Sequence, residues 1–320
     1  MNHNIFRYSA LLFLIMLVEL SPGQTIAFTE TWAYLMKGEE RYVSGIEPLT
    51  DIGYFSAKVN DTGRLGPTIP RPSLPGRLAR ARIHLVISAP ANKALMYFCL
   101  NRDKQVRSDL IADIVTYSAP FDGVQIDFEV MRPEEGSAYL SFLSEIKRKL
   151  PSNKVLSVAV PARTAIMKDA FPYAPIAAIV DRVVIMAYDE HYRTGPPGPV
   201  ASIEWCRRVC QFAKKQIPVR KLIMGMPLYG RLWQRESVAK ALKYTDTLSL
   251  WQQDKPPVKR EPGKIPFFEI KRTINGVAYF EDMQSLTEKL SLYKRLGVTG
   301  AGFWRIGQGP AALWKLLATE

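Results

Sequence analysis

Short apolar segments rich in β-branched and aromatic residues recur along the chain, and helical patterns of apolar positions separate several of them. Eight of these segments predict β-strands, at residues 31–36, 51–56, 82–88, 121–129, 155–161, 182–189, 221–230 and 300–306. Apolar residues three and four positions apart predict helices at residues 133–150, 202–216 and 282–296. Alternating strands and helices indicate a parallel sheet, so eight units predict an α/β protein with a closed (β/α)8 TIM barrel.

Two parts of the chain depart from the ideal barrel pattern. The link over residues 58–80 is rich in proline and glycine, which predicts a loop and one missing early helix. Between the seventh and eighth predicted strands lies a longer segment, residues 232–281. Its Asn275-Gly276 pair stands between alternating runs and indicates a β-hairpin. We therefore expect a small α+β insertion at the mouth of the barrel.

The first 27 residues have the layout of a secretory signal peptide. Arg7 is the basic residue near the start, residues 10–18 form an unbroken apolar run, and a polar exit ends at Ala27. This run is shorter than the about 20 residues needed to cross a bilayer, so no stable membrane anchor is expected. The sequence therefore predicts export to the periplasm, the cell envelope or the medium, with one folded domain over residues 28–320.

Cysteine and histidine usage argues against a disulfide framework and against a metal centre. The three cysteines are Cys99, Cys206 and Cys210, and the last two have the spacing of one helix face, so we interpret them as structural thiols. Only three histidines occur, one of them in the leader, and a histidine-rich metal site is not available. We expect His84 to be a packed strand residue, and we expect no metal and no other cofactor.

The formal net charge of +13 indicates an acidic partner. Basic residues are scattered along the chain and form no recognisable motif with stacking aromatic residues, so nucleic acid is not the expected partner. An anionic polymer of the cell envelope suits an exported basic protein better. We expect the protein to act as a monomer.

The stretch FDGVQIDFEV, residues 121–130, combines strand periodicity with a row of polar side chains. Successive strand residues point to opposite faces, so Gln125, Asp127 and Glu129 share one face and apolar residues form the other. On an edge strand the polar face would simply contact water. In a closed barrel, chemistry lies at the carboxyl ends of the strands, which is where Asp127 and Glu129 fall.

Four motifs carry a resemblance to a known enzyme family. Asp122-Gly123 followed by Asp127 and Glu129 matches a DGxDxDxE strand except at Gln125. The others are Met186-Ala187-Tyr188-Asp189 on the sixth predicted strand, residues 225–231 (GMPLYGR) on the seventh and Trp304 on the eighth. In this order, and spread over nearly all of the chain beyond the leader, they resemble the family 18 glycoside hydrolases, which include chitinases and bacterial cell-wall glucosaminidases.

The resemblance implies a retaining mechanism in which the substrate supplies the nucleophile. Glu129 would protonate the glycosidic oxygen while the substrate's 2-acetamido carbonyl attacks the anomeric carbon. Asp127 would favour the protonated form of Glu129 and accept a hydrogen bond from the acetamido N–H, and Tyr188 would donate to the acetamido oxygen. The residues assigned to substrate binding are Gln125, Asp189, Met186, Trp304, Tyr34, Tyr229 and Arg231, with Trp304 as the apolar floor under the sugar.

Within this family, residues 51–65 and 188–202 most resemble the branch of bacterial spore-cortex and cell-wall hydrolases. The activity implied is cleavage of β-1,4 bonds after N-acetylglucosamine, with peptidoglycan as the N-acetylated glycan. A chitinase or chitooligosaccharide hydrolase is one alternative, and a catalytically weak, lectin-like barrel is another. The presence of the acid, Glu129, favours catalysis over binding alone.

The sequence leaves questions open at four residues. Gln125 stands where the family usually has aspartate, and a neutral amide cannot share a proton with Asp127 as a carboxyl can, so the pH optimum is left open. Asp122 is either a strand-end cap or a direct part of the catalytic machinery. Trp233 and Trp251 either line a glycan cleft or pack the insertion.

Overall fold

Eight parallel strands form a closed barrel in the computed structural model, which describes residues 25–319 except 68, 91, 130, 235–238 and 272–274. The strands are β1 Glu30–Met36, β2 Asp51–Lys58, β3 Arg82–Ser88, β4 Gly123–Asp127, β5 Val155–Pro161, β6 Arg182–Met186, β7 Leu222–Pro227 and β8 Gly300–Trp304. Strand β8 pairs in parallel with both β7 and β1, which closes the sheet. The predicted TIM barrel is confirmed, and the observed strands fall within one or two residues of most predicted bounds.

The α-helices of the described chain are α1 Lys93–Leu100, α2 Gln105–Tyr117, α3 Gly136–Lys149, α4 Tyr173–Ile179, α5 Ile203–Gln216, α6 Tyr244–Asp254, α7 Met283–Arg295 and α8 Leu313–Leu316. Helices α3, α5 and α7 lie at the three places that the sequence predicts. Helix α5 shows why these segments are helical. The Ser202 side chain caps its first turn by accepting from the Trp205 N–H, and its apolar stripe, which includes Cys206 and Cys210, is buried.

The first two links between barrel strands contain no α-helix among their described residues. A 3-10 helix at Glu40–Tyr42 connects β1 to β2, and another at Gly76–Arg80 precedes β3. The sequence predicts one missing helix, in the proline- and glycine-rich link, and that prediction is confirmed. The β1–β2 link is a second departure, because it contains a 3-10 helix in place of an α-helix.

The insertion after β7 contains a five-stranded antiparallel sheet together with α6. Its strands, in the order in which they pair, are Lys240–Leu242, Gly230–Gln234, Asn275–Tyr279, Pro266–Lys271 and Lys259–Arg260. A hairpin is present, but the predicted turn position is wrong. Lys271 pairs with Asn275 and Ile270 with Gly276, so Asn275-Gly276 belongs to a strand, and the connection falls on residues 272–274, outside the described part.

The two ends of the described chain pair with each other. Strand Ile26–Phe28 runs parallel to Leu317–Thr319 beside the barrel. The predicted signal peptide lies outside the described residues up to residue 24, and its last two residues, Ile26 and Ala27, belong to this strand. In the described ranges no helix is long and apolar enough to span a membrane.

Buried and partly buried ion pairs occupy the end of the barrel at which the strands begin. Asp51 Oδ1 lies 2.7 Å from His84 Nε2 and 2.8 Å from Arg82 Nε. Arg182 donates to Glu30 from both Nε and Nη2. His84 is therefore a packed strand residue with a carboxylate partner.

The cysteines are all buried and free. Cys206 and Cys210 lie on the inner face of α5, as their spacing predicts. Within the described ranges, no group of three or more histidine, cysteine, aspartate or glutamate side chains is arranged to hold a metal ion.

Candidate active site

A cavity of about 460 Å³ opens at the carboxyl ends of the barrel strands, and all ten residues predicted for the site line it. They are Tyr34, Gln125, Asp127, Glu129, Met186, Tyr188, Asp189, Tyr229, Arg231 and Trp304. Strand β4 ends at Asp127, and Glu129 follows two residues later. The cavity is therefore built around the polar face of β4.

Asp127 and Glu129 experience different surroundings in this cavity. Asp127 is only 6% exposed, and burial, with a smaller contribution from the charge of Glu129, raises its pKa to about 8. Glu129 lies at the open side, where solvent reaches its side chain. Enough protein surrounds its carboxyl that desolvation raises its pKa, and the negative charge of Asp189 adds to this effect. Both groups therefore hold protons at higher pH than ordinary carboxyls do.

Gln125 lies beneath this pair and is fully buried. Its Nε2 donates to Ser157 Oγ on β5 at 3.1 Å, while its Oε1 is buried without a hydrogen-bond partner. The hydroxyl of Tyr34, on β1, is also buried without a well-formed hydrogen bond, although the Gln125 side chain lies close enough to interact with it. Neighbouring Gly53 makes room for the Tyr34 ring, since a Cβ there would lie 2.5 Å from the ring. Gln125 Oε1 and the Tyr34 hydroxyl are thus two buried polar atoms of the cavity wall that a bound ligand can hydrogen-bond to.

Tyr188 follows the end of β6 and presents a protonated hydroxyl to the cavity. Burial raises its pKa well above the usual value, and the nearby Tyr34, Tyr229, Asp127 and Glu129 act in the same direction. A hydroxyl that does not ionise is a hydrogen-bond donor at any physiological pH. The side chain can therefore donate to an oxygen atom of a bound ligand.

Asp189 is held in place by two residues of the segment after β7. Its Oδ1 accepts hydrogen bonds from the Tyr229 hydroxyl and from the guanidinium Nε and Nη2 of Arg231. The Arg231 guanidinium also lies 5.3 Å from the centre of the Tyr229 ring. Asp189 has a φ of +62°, a left-handed conformation that aspartate and asparagine tolerate better than most residues. This network fixes a negative charge beside Glu129.

Three aromatic rings form an apolar wall of the cavity. The ring centre of Trp304, at the end of β8, lies 4.9 Å from that of Phe55 and 5.3 Å from that of Tyr34. Edge-to-face and tilted packing of this kind holds the indole in one orientation. A sugar ring can lie against such a surface.

Several residues of the cavity carry no clear signal in the sequence. Besides the predicted ten, the lining includes Phe55, Ala159, Pro161, Ala162, Arg163, Trp205, Ala241 and Gln308. Phe55 could have been found, because it lies near the carboxyl end of the predicted second strand. Arg163 follows β5 in a loop, where Asp169 binds its Nε at 2.6 Å, and it belongs to no periodic pattern. Trp205 lies on the predicted helix over residues 202–216, but the pattern does not show that it reaches the cavity.

Three residues with open interpretations lie away from the cavity. Asp122 precedes β4 at the opposite end of the barrel and accepts from the Ile83 N–H at 2.7 Å and from Arg71 at 2.6 Å, so it is a strand-end cap. Trp233 is buried and donates to the Gly195 carbonyl at 3.0 Å. Trp251 packs against the hydrophobic core of the insertion. Neither tryptophan lines the cavity of Asp127 and Glu129.

Comparisons with known proteins agree with this geometry. The cortical fragment-lytic enzyme of Bacillus anthracis is 29% identical over 293 residues, which cover 84% of this chain and 67% of that protein. Chitinase A1 of Niallia circulans is 24% identical over 58% of this chain and 34% of its own length. The crystal structure of the Bacillus cereus spore cortex-lytic enzyme SleL has a TM-score of 0.81 and 26% identity, and the match covers 92% of this chain and 76% of SleL.

The match to the family itself covers most of the barrel. The model of the glycosyl hydrolases family 18 matches residues 81–309, from just before β3 to just beyond β8. This range includes the Asp127 and Glu129 strand as well as Trp304. The protein belongs to glycoside hydrolase family 18 and is a glycoside hydrolase.

Proposed function

We propose that this protein is an exported N-acetylglucosaminidase that cleaves the glycan strands of peptidoglycan with retention of configuration. The observation that carries the proposal is the placement of Asp127 and Glu129 at the carboxyl end of β4, beside Trp304 and Tyr188 in one cavity. We further propose that residues 1–27 are a leader, that residues 28–320 form the catalytic domain, and that the enzyme acts as a monomer.

In the first step Glu129 gives its proton to the glycosidic oxygen. The bond from the anomeric carbon to that oxygen breaks, and the carbonyl oxygen of the substrate's 2-acetamido group bonds to the anomeric carbon. This produces a cyclic oxazolinium intermediate and leaves Glu129 ionised. The raised pKa of Glu129 supports this role, because a general acid must still carry its proton near the working pH.

Asp127 and Tyr188 hold the acetamido group in line for this attack. An oxygen of Asp127 accepts the acetamido N–H, which a neutral carboxyl can also do through its carbonyl oxygen. The Tyr188 hydroxyl donates to the acetamido oxygen, and its protonated state supports this assignment. The charge of Asp189, fixed by Arg231 and Tyr229, contributes to stabilising the positive intermediate.

In the second step water opens the intermediate. Glu129, now a carboxylate, takes a proton from the water molecule as its oxygen bonds to the anomeric carbon. The bond between that carbon and the acetamido oxygen breaks, so the product keeps the original anomeric configuration. Trp304 supports the sugar from below in both steps.

Peptidoglycan is the substrate that the observations favour. Relatives and structural neighbours include a cortical fragment-lytic enzyme and a spore cortex-lytic enzyme, and a net charge of +13 suits a polymer that carries carboxylates. The second candidate is a chitinase or chitooligosaccharide hydrolase, which the similarity to Chitinase A1 favours. A lectin-like barrel is less consistent with the presence of Glu129.

A side-by-side digestion tests the substrate. Purified sacculi and chitin oligomers are incubated with the protein, and the new reducing ends are identified by mass spectrometry. Reducing N-acetylglucosamine released from sacculi supports the proposal. Reducing N-acetylmuramic acid, or efficient cleavage of chitin alone, contradicts it.

A further inference from the structure

A second cavity, of about 560 Å³, lies at the end of the barrel opposite the candidate active site. Glu30 and Arg82, the first residues of β1 and β3, line it together with Thr50, which precedes β2. The strands between the two cavities have about seven residues, so roughly 20 Å separates them. Arg77 and Arg80 also line this cavity, so it has three arginines in its wall.

The arginines of this cavity differ in their partners. Arg82 binds Asp51 and Glu30, and its charge is compensated within the barrel. Arg77 and Arg80 are exposed and lie on the 3-10 helix before β3. In the part of the chain that the structure describes, neither side chain contacts a carboxylate. The backbone fixes their position, because the Arg77 N–H donates to the Gly45 carbonyl at 2.9 Å.

Further basic residues lie on the same end of the barrel, the face at which the strands begin, which we call the amino-end face. Helices α3, α5 and α7 end there, and the short 3-10 helix Val219–Lys221 precedes β7. The basic residues in these segments and before β5 are Lys147, Arg148, Lys149, Lys154, Lys214, Lys215, Arg220, Lys221, Lys294 and Arg295.

Two structural effects account for part of this charge. Lysine and arginine in the last turn of a helix are stabilised by the helix dipole. Some carboxylates of the same face are already paired, since Asp122 binds Arg71 and Asp181 binds Lys147. Neither effect explains Arg77 and Arg80, which lie on no α-helix and contact no carboxylate among the described residues. Their charges are available to a ligand.

We propose that the amino-end face, centred on Arg77 and Arg80, is a second binding site for peptidoglycan that recognises its carboxylates. Guanidinium groups pair with carboxylates in a two-point geometry, and a cavity between arginines holds such a group better than a flat surface does. The site rests on the proposed substrate. It retains the enzyme on the polymer while the opposite end of the barrel cuts.

A sedimentation experiment tests this site without relying on cleavage. Binding to purified sacculi is measured with the full chain carrying Glu129→Gln, with and without Arg77→Gln and Arg80→Gln. The control pair Arg208→Gln and Lys255→Gln removes two exposed positive charges elsewhere on the protein. We expect the Arg77 and Arg80 pair to weaken binding about tenfold, and the control pair less than twofold. Melting temperatures confirm that both variants are folded.

Two further arms identify the ligand. Sacculi whose carboxyls have been amidated are expected to bind the Glu129→Gln protein equally well with and without the Arg77 and Arg80 substitutions. This result would assign the difference seen on native sacculi to their carboxylates. Amidated sacculi test hydrolysis separately, and a protein with native Glu129 that carries the Arg77 and Arg80 substitutions is expected to release reducing ends from them as fast as the wild type. Failure of all proteins with native Glu129 to release reducing ends from native sacculi would contradict the proposed function and leave the sedimentation result standing.

Three outcomes would overturn the second site. One is equal weakening by the arginine pair and the control pair. Another is an unchanged difference on amidated sacculi. The last is duplex DNA displacing the protein from sacculi as efficiently as soluble peptidoglycan fragments do, which would indicate attraction to any polyanion.

Discussion

The side chain of Gln125 is oriented by Ser157 on the neighbouring strand. Gln125 Nε2 lies 3.1 Å from Ser157 Oγ, and Gln125 Oε1 is buried without a hydrogen-bond partner among the described residues. Gln125 and Asp127 project from the same face of β4. The neutral amide of Gln125 therefore lies beside Asp127. A carboxyl at that position would compete with Asp127 for protons, whereas the amide leaves Asp127 able to keep its proton.

Gln125→Asp is expected to make stability depend more steeply on pH. It adds a buried carboxyl on the face of Asp127, and like charges in a buried site raise each other's pKa. An unfolded chain loses these protons near pH 4, so the folded state is increasingly disfavoured above that value. Compared with wild type, the variant should lose about 1–3 kcal/mol of unfolding free energy between pH 4 and pH 8. Urea denaturation at several pH values measures this, with the neutral Gln125→Asn as control, and a difference that is flat with pH would contradict the interpretation.

Asp127→Asn should stabilise the fold and reduce activity. The Asp127 pKa is about 8 in the folded protein and near 4 in an unfolded chain, so wild-type stability falls as pH rises between these values. Asparagine removes this loss, and the variant should exceed wild type by about 1–3 kcal/mol at pH 8 and by less at pH 4. Hydrolysis should fall about 10²-fold or more, the scale of one lost positioned group. A variant that is less stable at pH 8 would argue that Asp127 is ionised there.

Asp189→Asn should shift the pH profile of hydrolysis. Asparagine tolerates the left-handed backbone at this position, so the main change is loss of the charge. Desolvation keeps the pKa of Glu129 raised, but the contribution from Asp189 disappears. The alkaline limb of kcat/KM should therefore move to lower pH. Tyr229→Phe keeps the charge of Asp189 and removes one hydrogen bond, and its alkaline limb should stay closer to that of wild type.

Trp304→Ala should remove the apolar wall under the sugar. The indole packs against Tyr34 and Phe55, and its loss leaves both rings and the substrate without support. We expect kcat/KM to fall about 10²-fold, because small displacements of a bound substrate have effects of this size. Trp304→Phe retains a ring and should lose less. Equal activity of the alanine variant would show that the tryptophan is only a packing residue.

Much of the fold could be predicted because the physical signals are local and repeated. Apolar segments such as 82–88 and 155–161 match the observed strands β3 and β5 residue for residue. The site could be located because a closed barrel brings the carboxyl ends of distant strands together, so Asp127, Tyr188 and Trp304 meet in one cavity.

The remainder depends on contacts that no local pattern records. Asn275-Gly276 has strong turn chemistry, but pairing with the strand that contains Trp233 draws it into the sheet. Arg163 reaches the cavity from a loop whose course is set by tertiary packing. The pairing of Asp189 with Arg231 joins residues 42 positions apart in the chain. Such contacts form only in the folded chain, so local sequence patterns do not predict them.

The hydrolysis rate of Glu129→Gln on an N-acetylated oligomer tests the central claim most directly. Glutamine preserves the shape of the side chain and cannot donate the proton that the first step requires. The variant should bind the oligomer with unchanged affinity, measured by calorimetry, and release reducing ends at least about 10²-fold more slowly than the wild type. Cleavage by the variant as fast as by the wild type would contradict the assignment of Glu129 as the acid.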